Sequence, residues 1–273
     1  MTDRYAVIGH PVAHSKSPLI HANFARQSSQ DMSYEKILAP LDGFAAAVHA
    51  FVRAGGRGVN VTVPFKQEAV RLATRLSERA RLAAAVNTLA FDGRDIYGDN
   101  TDGIGLVRDI RANLGRNLSG QRILLLGAGG AARGVIQPLL SEHPRQLIVA
   151  NRTAQTALNL AAEYAGFTPP PQGCGFGDLH GQSFDIVINA TSAGLTDSAL
   201  DVAAGIFAPD SLAYELLYGR ETPFMRQARD AGAAVSDGIG MLVEQAAEAF
   251  LLWRGIRPDS APVLRELRAA GGR

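Results

Sequence analysis

Lys66 is a lone lysine that follows an apolar, β-type run at residues 58–65, in which Asn60 and Thr62 stand two positions apart. This spacing points both polar side chains to the same side of a strand. Because open α/β sheets bind ligands beyond the carboxyl ends of their strands, a cation at this place can belong to a ligand site. The alternative for an isolated lysine is a solvated charge, so the rest of the chain has to decide.

Further polar stretches favour a site over a solvated charge. They are Ser15-Lys16-Ser17-Pro18, Asn87-Thr88 and Asp99-Asn100-Thr101-Asp102. Together with Lys66 they supply hydroxyls, carboxamides, a cation and an anion. This combination suits a small polyhydroxylated carboxylate as the ligand.

A glycine-rich turn forms a second constellation. An apolar run at 122–126 leads into Gly127-Ala128-Gly129-Gly130-Ala131-Ala132, and helical and strand patterns follow. Gly127 and Gly129 permit a tight turn and the close approach of a pyrophosphate, while Ala132 stands at the third glycine position. The free N–H groups of the helix N-terminus suit phosphates. The order of strand, glycine turn, helix and strand therefore predicts dinucleotide binding, which the glycines alone would not.

Asn151-Arg152-Thr153 follow the second strand of this unit, where an NAD site usually has an acidic residue for the ribose 2′-hydroxyl. No carboxylate is present there to repel a 2′-phosphate, and the planar guanidinium of Arg152 suits phosphate oxygens. The alternative is that Thr153 only caps the next helix and Arg152 is solvated. Helix capping by Thr153 and phosphate binding by Arg152 are compatible with each other. The residue types favour NADP.

Oxidation of a secondary alcohol removes a hydride from carbon and a proton from oxygen. A dinucleotide accepts the hydride, and Lys66 and Asp102 are the candidates for the proton. An ordinary lysine titrates near ~10.4, a bound carboxylate raises that value, and partial burial beside a cationic nicotinamide lowers it. Which of the two residues finally holds the proton stays open, and the pair can titrate as one unit.

Composition excludes several other classes of function. Net charge of +1 without a basic cluster argues against a nucleic-acid partner, and no apolar stretch approaches the ~20 residues of a membrane span. The first residues enter a strand directly, leaving no room for a signal peptide. The single Cys174 lies in a segment rich in glycine and proline that is predicted to be a loop, and it cannot form an internal disulfide, so a cytoplasmic protein is expected. Gly9 and Pro11 argue against a helix that presents His10 and His14 to a metal, so no metal site is predicted. Whether the protein is a monomer or a homodimer stays open.

Alternating strand and helix patterns over the first hundred residues predict an α/β fold with a mostly parallel sheet covered on both faces. Asp92-Gly93 adds a hairpin to this sheet. Asp42 is expected to cap the second helix, which ends before Gly55-Gly56.

Two domains are expected from the length of 273 residues and from the order of these patterns. A long apolar helix that starts near Gly238 returns to the first domain and brings Gln245 into a cleft between the domains. We therefore predict a substrate-binding catalytic domain of residues 1–102 plus 239–273. Residues 103–238 are predicted to form a Rossmann-type dinucleotide-binding domain.

The motifs closely resemble those of the bacterial shikimate dehydrogenase family, in its biosynthetic NADP-dependent form, over nearly the full chain. Several are distinctive by themselves, and their order leaves little room for coincidence. The matching segments are Ser15-Lys16-Ser17-Pro18, Asn60-Val61-Thr62-Val63-Pro64-Phe65-Lys66, Ala85-Val86-Asn87-Thr88, Gly98-Asp99-Asn100-Thr101-Asp102-Gly103, Gly127-Ala128-Gly129-Gly130-Ala131, Asn151-Arg152-Thr153, Asn189-Ala190-Thr191-Ser192 and Asp237-Gly238-Ile239-Gly240-Met241-Leu242-Val243. The resemblance implies reversible NADPH-dependent reduction of 3-dehydroshikimate to shikimate in the biosynthesis of aromatic amino acids.

The resemblance also implies roles for single residues. Ser15 and Ser17, with Tyr218 nearby, would bind the substrate carboxylate. The ring hydroxyls would be held by Thr62, Lys66, Asn87, Asp102 and Gln245, with Asn60 supporting that wall. The cofactor groove would be lined by Glu78, Gly127, Ala128, Gly129, Gly130, Ala131, Asn151, Arg152, Thr153, Thr191, Ser192, Leu216 and Gly238.

Two positions depart from the pattern of the family. Relatives often have a second basic residue where this chain has Thr156, so the NADP preference depends mainly on Arg152. Leu216 stands where methionine is common, a change of similar volume.

Two alternative functions stay open. A broader quinate/shikimate dehydrogenase would use NAD or NADP, and Arg152 without an acidic neighbour argues against it. A catalytically silent NADP-binding regulator on the same scaffold could have lost Lys66 or Asp102, and this chain keeps both.

Overall fold

The computed structural model describes residues 2–271, which divide into two compact units. The first unit takes the chain up to Gly105 and again from Leu242 onward, and the second comprises Leu106–Met241. Along the chain the elements of the first unit are β1 Asp3–Gly9, α1 Ser17–Gln27, β2 Met32–Leu38, α2 Phe44–Arg53, β3 Gly56–Val61, α3 Lys66–Leu72, β4 Arg75–Leu76, α4 Glu78–Ala83, β5 Thr88–Asp92, β6 Asp95–Asp99 and α5 Asp102–Arg108, which runs into the second unit. There follow β7 Arg122–Leu126, α6 Gly130–Ser141, β8 Gln146–Asn151, α7 Ala154–Ala162, β9 Gln172–Gly175, β10 Phe184–Asn189, β11 Phe207–Glu215, α8 Pro223–Asp230 and β12 Ala234–Ser236, and then α9 Ile239–Arg254 and α10 Ser260–Gly271.

The first unit is built on a six-stranded mixed sheet in the order β2-β1-β3-β5-β6-β4. β1 pairs in parallel with both β2 and β3, and β4 pairs in parallel with β6. β5 and β6 form the predicted antiparallel hairpin, with Gly93 at the tip in a left-handed conformation, φ 60°. β5 also pairs antiparallel with β3, which sets Asn60 opposite Thr88, the residue directly after Asn87.

Apolar side chains of β1 and β3 pack with those of α2 and α3 to form the core of the first unit. Phe44 and Phe65 stack at a centroid distance of 4.9 Å, and both are essentially inaccessible. Burying one such side chain contributes about 1.5–3 kcal/mol. This packing anchors Phe65, and so fixes the start of α3 and its first residue, Lys66.

The second unit contains a six-stranded sheet in the order β12-β11-β10-β7-β8-β9, and all five of its strand pairings are parallel. The residues Ile123 to Leu126 of β7 are fully buried, as expected for a central strand covered on both faces. Parallel strands end at a common edge, so the turns after β7, β8, β10 and β11 lie along one side of this sheet.

Some expectations about local structure are wrong. Gly43, not Asp42, occupies the cap position of α2. The strand β3 ends at Val61, so Thr62 lies just after the strand instead of within it. The strand β9 is absent from the expected elements, because its segment is rich in glycine and proline. The structure explains this composition, since a Cβ on Gly173 would lie 2.5 Å from the Leu158 Cα of α7.

Within residues 2–271, no helix combines the length and the apolar character needed to cross a bilayer. In the same range, no group of three or more His, Cys, Asp or Glu side chains could hold a metal ion.

Candidate active site

Lys66 and Asp102 form a direct ion pair in the first unit, with Nζ of Lys66 2.5 Å from Oδ2 of Asp102. Each is the first residue of a helix, Lys66 of α3 and Asp102 of α5. The side chains are 28% and 13% exposed, so the pair is largely withdrawn from solvent yet remains open to a ligand. A cation and an anion joined in this way can share and transfer a proton.

Asn87 fixes the orientation of Asp102. The backbone N–H of Thr101 donates to Asn87 Oδ1 at 2.8 Å, and the Thr88 hydroxyl donates to the same oxygen at 2.9 Å. Because a backbone N–H can only donate, the oxygen of Asn87 must face Thr101, which leaves its nitrogen to donate to Asp102 Oδ1 at 2.8 Å. Gln245 of α9 joins the cluster, since its Oε1 accepts from Asn87 Nδ2 at 3.3 Å.

Asn60 lies behind this cluster with both ends of its carboxamide occupied. Its Oδ1 accepts from the hydroxyl of Tyr34 at 2.7 Å, and its Nδ2 donates to the Thr88 hydroxyl at 3.0 Å. Hydrogen bonds thus connect Tyr34 of β2, through Asn60 and Thr88, to Asn87 and Asp102. The sequence analysis missed Tyr34, because a tyrosine in an alternating strand gives no sign of which side chain it will meet.

A buried histidine lies beside this chain of hydrogen bonds. The ring of His21 is fully buried, stacks on Tyr34 at 4.3 Å, and finds no hydrogen-bond partner for either nitrogen within the described residues. Burial lowers the pKa of His21 to about 3, and Asn60 opposes this shift only in part. Burial of its hydroxyl also raises the pKa of Tyr34 well above the ordinary value. Both rings are therefore neutral at physiological pH.

Ser15 and Ser17 come together at the N-terminus of α1. The hydroxyl of Ser15 donates to that of Ser17 at 3.1 Å, and Ser17 N–H donates to Ser15 Oγ at 3.3 Å. The positive end of an eleven-residue helix and two hydroxyls suit a carboxylate. Thr62 lies against Gly9, where an added Cβ would be 2.3 Å from Thr62 Cγ2, so only glycine leaves room for it.

Two further predicted site residues have other settings. Glu78 begins α4 in the first unit with its carboxylate exposed. Tyr218 lies in the second unit, whereas Ser15 and Ser17 lie in the first. Burial raises the pKa of the Tyr218 hydroxyl, which keeps it neutral as a hydrogen-bond donor.

The glycine turn of the second unit joins β7 to α6. Gly127 has φ 104°, and a Cβ there would lie 3.1 Å from the carbonyl carbon of Ala190, so the fold itself requires glycine. Gly129 and Gly130 differ, because the positions of their Cβ atoms would be open apart from the adjacent residues and the backbone of their own helix. These two exposed glycines, with Ala128 and Ala131, leave the N-terminus of a twelve-residue helix open to a phosphate.

Asn151, Arg152 and Thr153 connect β8 to α7. Arg152 is exposed, and neither an ion pair nor a hydrogen bond ties its side chain to the described part of the chain. Thr153 occupies the cap position of α7, but its side chain makes no capping hydrogen bond. Position 156, exposed in the first turn of α7, is a threonine, so no second cation is present there beside Arg152.

The remaining predicted cofactor residues lie after β10, β11 and β12. The hydroxyl of Thr191 donates to Asn189 Oδ1 at 2.8 Å, and Ser192 follows in an exposed position. Leu216 N–H donates to the Asn189 carbonyl at 3.0 Å. A Cβ on Gly238 would lie 2.2 Å from the carbonyl oxygen of Leu216, so close packing requires that glycine.

These features define a class of protein: an α/β dehydrogenase with a dinucleotide site in one unit and a polar Lys–Asp cluster in the other. Three family models match the chain: "Shikimate dehydrogenase substrate binding domain" at residues 7–89, "Shikimate / quinate 5-dehydrogenase" at 109–196, and "Shikimate 5'-dehydrogenase C-terminal domain" at 238–268. The chain is 62% identical over 271 residues to the shikimate dehydrogenase (NADP(+)) of Dechloromonas aromatica strain RCB, covering 98% of both chains.

Solved structures show the same relationship. An Ael1 enzyme from Pseudomonas putida has a TM-score of 0.93 at 51% identity, covering 97% of this chain and 98% of that one. Shikimate 5-dehydrogenase from Thermus thermophilus, in complex with NADP(H) and shikimate, has a TM-score of 0.87 at 35% identity, covering 98% of this chain and 100% of that one. The chain belongs to the shikimate dehydrogenase family.

Proposed function

We propose that this protein catalyses the reversible NADPH-dependent reduction of 3-dehydroshikimate to shikimate in the biosynthesis of aromatic amino acids. The observation that carries this proposal is the Lys66–Asp102 pair at 2.5 Å, held by Asn87 in a cluster of hydroxyl and amide groups. Membership in the family supports the substrate and the cofactor. A catalytically silent regulator would have no need of this intact pair.

Roles are assigned to the two parts of the chain on the same basis. We propose that residues 1–102 and 239–273 form the substrate-binding catalytic domain and that residues 103–238 bind NADP. Ser15 and Ser17, together with Tyr218, bind the substrate carboxylate. Thr62, Asn87 and Gln245 bind ring hydroxyls beside Lys66 and Asp102, and Asn60 holds this wall in place.

Bound NADPH supplies the hydride that reduces the substrate carbonyl. The Lys66 ammonium donates a hydrogen bond to the carbonyl oxygen, and the Lys66–Asp102 pair delivers the proton that the new hydroxyl requires. Asp102 orients the ammonium, while Asn87 prevents the carboxylate from turning away. A positioned acid–base group of this kind contributes about 10²–10⁴ in rate.

The residues of the second unit suit NADP. The open turn at Gly129 and Gly130 admits the pyrophosphate to the N-terminus of α6, and Arg152 binds the 2′-phosphate. Residues 151–153 include no carboxylate that would repel this phosphate. We further propose a cytoplasmic location, for which the single cysteine of the chain is the support.

The test is oxidation of NADPH by the purified protein with 3-dehydroshikimate, and the reverse reaction with shikimate. Quinate and NADH serve as comparison substrates. We expect turnover of shikimate with NADP to exceed turnover of quinate or use of NAD. A protein that binds NADPH but turns over no substrate would contradict the proposal and support the regulator.

A further inference from the structure

Glu215 is a fully buried carboxylate at the end of β11, where the preceding residues 212–214 are apolar and buried. No Lys, Arg or His of the described chain forms an ion pair with it. A buried and unpaired carboxylate is costly in free energy unless hydrogen bonds satisfy it. The position therefore requires an explanation beyond packing.

Three donors satisfy this carboxylate. Asn189 Nδ2 donates to Oε2 at 2.7 Å, the Thr222 hydroxyl donates to Oε2 at 2.9 Å, and Leu217 N–H donates to Oε1 at 3.1 Å. Burial raises the pKa of Glu215, and these hydrogen bonds oppose the shift. The Asn189 amide nitrogen and the Leu217 N–H can only donate, so they suit a side chain that offers an acceptor on each of its two oxygens, as an ionised carboxylate does.

The partners of Glu215 hold both turns that follow β10 and β11. Asn189 accepts hydrogen bonds from the N–H and the hydroxyl of Thr191, at 3.1 and 2.8 Å. The Leu217 carbonyl accepts from Gly238 N–H at 3.0 Å. One carboxylate thus connects Thr191, Leu216 and Gly238, which are spread over three segments of the chain.

We infer that Glu215 is a positioning residue for NADP, acting through Asn189 on the turn at Thr191 and through Leu217 on the turn at Gly238. This inference rests on the proposed function, because it assigns those turns to the cofactor. Glu215 touches neither cofactor nor substrate, and it sets the geometry of residues that do.

The test is an exchange of functional groups between positions 189 and 215. In Glu215→Gln, one oxygen becomes an NH₂ group that faces another donor. In the double variant Glu215→Gln/Asn189→Asp, the new amide at position 215 donates to the new carboxylate and to the Thr222 oxygen, while its oxygen still accepts from Leu217. The carboxylate at position 189 still accepts from Thr191, so the contact between two donors that the single variant creates is removed.

Binding of NADPH, followed by its fluorescence, is the first readout. We expect Glu215→Gln to raise the Kd for NADPH about tenfold, the loss typical of one hydrogen bond to a charged group. Shikimate binding to the cofactor-free protein should change less than NADPH binding, since all of its proposed residues except Tyr218 belong to the other domain. The exchange variant should return the Kd for NADPH to within about threefold of wild type.

The control is Glu221→Gln, the same chemical change in the same segment at a glutamate that is about half exposed and pairs only with Arg229 among the described residues. It should leave the Kd for NADPH unchanged. Melting temperatures of all variants separate stability from binding. A lower melting temperature of Glu215→Gln with an unchanged Kd would overturn the inference, because the role would then be structural only.

The exchange variant decides the question by itself if Glu215→Gln does not fold. A folded exchange variant with a Kd near that of wild type supports the inference, and a tenfold weaker Kd overturns it. If wild-type protein bound no NADPH, the proposed function would fail instead, so the two failures can be told apart.

Discussion

At the scale of single residues, the proposed chemistry depends on Lys66 and Asp102. We expect Lys66→Ala to keep the fold and NADPH binding but to lower turnover by about 10²–10⁴-fold, since it removes the positioned proton donor. Steady-state rates with 3-dehydroshikimate, together with an NADPH titration, are the measurement. Turnover within threefold of wild type would show that Lys66 is only a solvated charge.

We propose that the choice of cofactor depends on Arg152. Arg152→Ala should weaken NADP binding by roughly 10- to 150-fold, the worth of a hydrogen bond between charged groups, and should leave NAD binding nearly unchanged. Because exposed Thr156 offers no second cation, this one change should nearly abolish the preference. Dissociation constants for both cofactors test it, and an equal loss for the two would assign Arg152 to the shape of the loop.

His21 makes the stability of the first unit depend on pH. Its pKa of about 3 in the folded protein lies below the ordinary 6.5, so the unfolded chain takes up the proton first as pH falls. The free energy of unfolding therefore decreases from about pH 6.5 downward, by about 2 kcal/mol at pH ~5. His21→Leu should lack this contribution.

The measurement is urea unfolding of wild type and His21→Leu at about pH 8 and pH 5, followed by the fluorescence of Trp253. This residue is the only tryptophan of the sequence, and its ring lies 5.4 Å from that of His21. The difference in free energy of unfolding between wild type and His21→Leu should change between the two pH values. A constant difference would mean that His21 keeps an ordinary pKa in the folded protein.

At the scale of elements, two glycines in the turn between β7 and α6 should have different roles, Gly127 in stability and Gly129 in binding. Gly127→Ala should cost about 1–3 kcal/mol of stability, because alanine is strained at φ 104° and meets the Ala190 backbone. Gly129→Ala should leave stability almost unchanged but weaken NADPH binding, since its methyl group would lie in open space and enter the proposed phosphate site. Thermal unfolding and NADPH titration of both variants test this contrast, and normal NADPH binding by Gly129→Ala would contradict it.

At the scale of the whole molecule, the two units have separate sheets, and we propose that they have separate ligands. NADP alone should slow amide hydrogen exchange at the turns after β7, β8, β10 and β11. Shikimate alone should slow exchange around α1, α3 and the start of α5. Hydrogen exchange followed by mass spectrometry tests this, and equal protection of both sets by one ligand would contradict the proposed domain roles.

Most of the strands and helices that were predicted correctly follow from local patterns in the sequence. The strands β1, β7 and β8, the hairpin at Asp92-Gly93 and the helix that follows the glycine turn are all present in the structure. Each depends on the period of a strand or a helix, or on the chemistry of one turn, and these properties are contained in a short stretch of sequence. The same reasoning failed for β9, where contact with α7 outweighs a composition typical of a loop.

The sequence by itself also determined which residue types are available for chemistry, and Lys66, Asp102, Asn87 and Gln245 indeed lie together in one cluster. Only the tertiary structure decided how they are joined and what supports them. Tyr34 reaches Asn60, and Glu215 gathers Asn189, Leu217 and Thr222, because of the order of strands in each sheet. That order depends on which elements pack together across the whole chain, and no local period of the sequence encodes it.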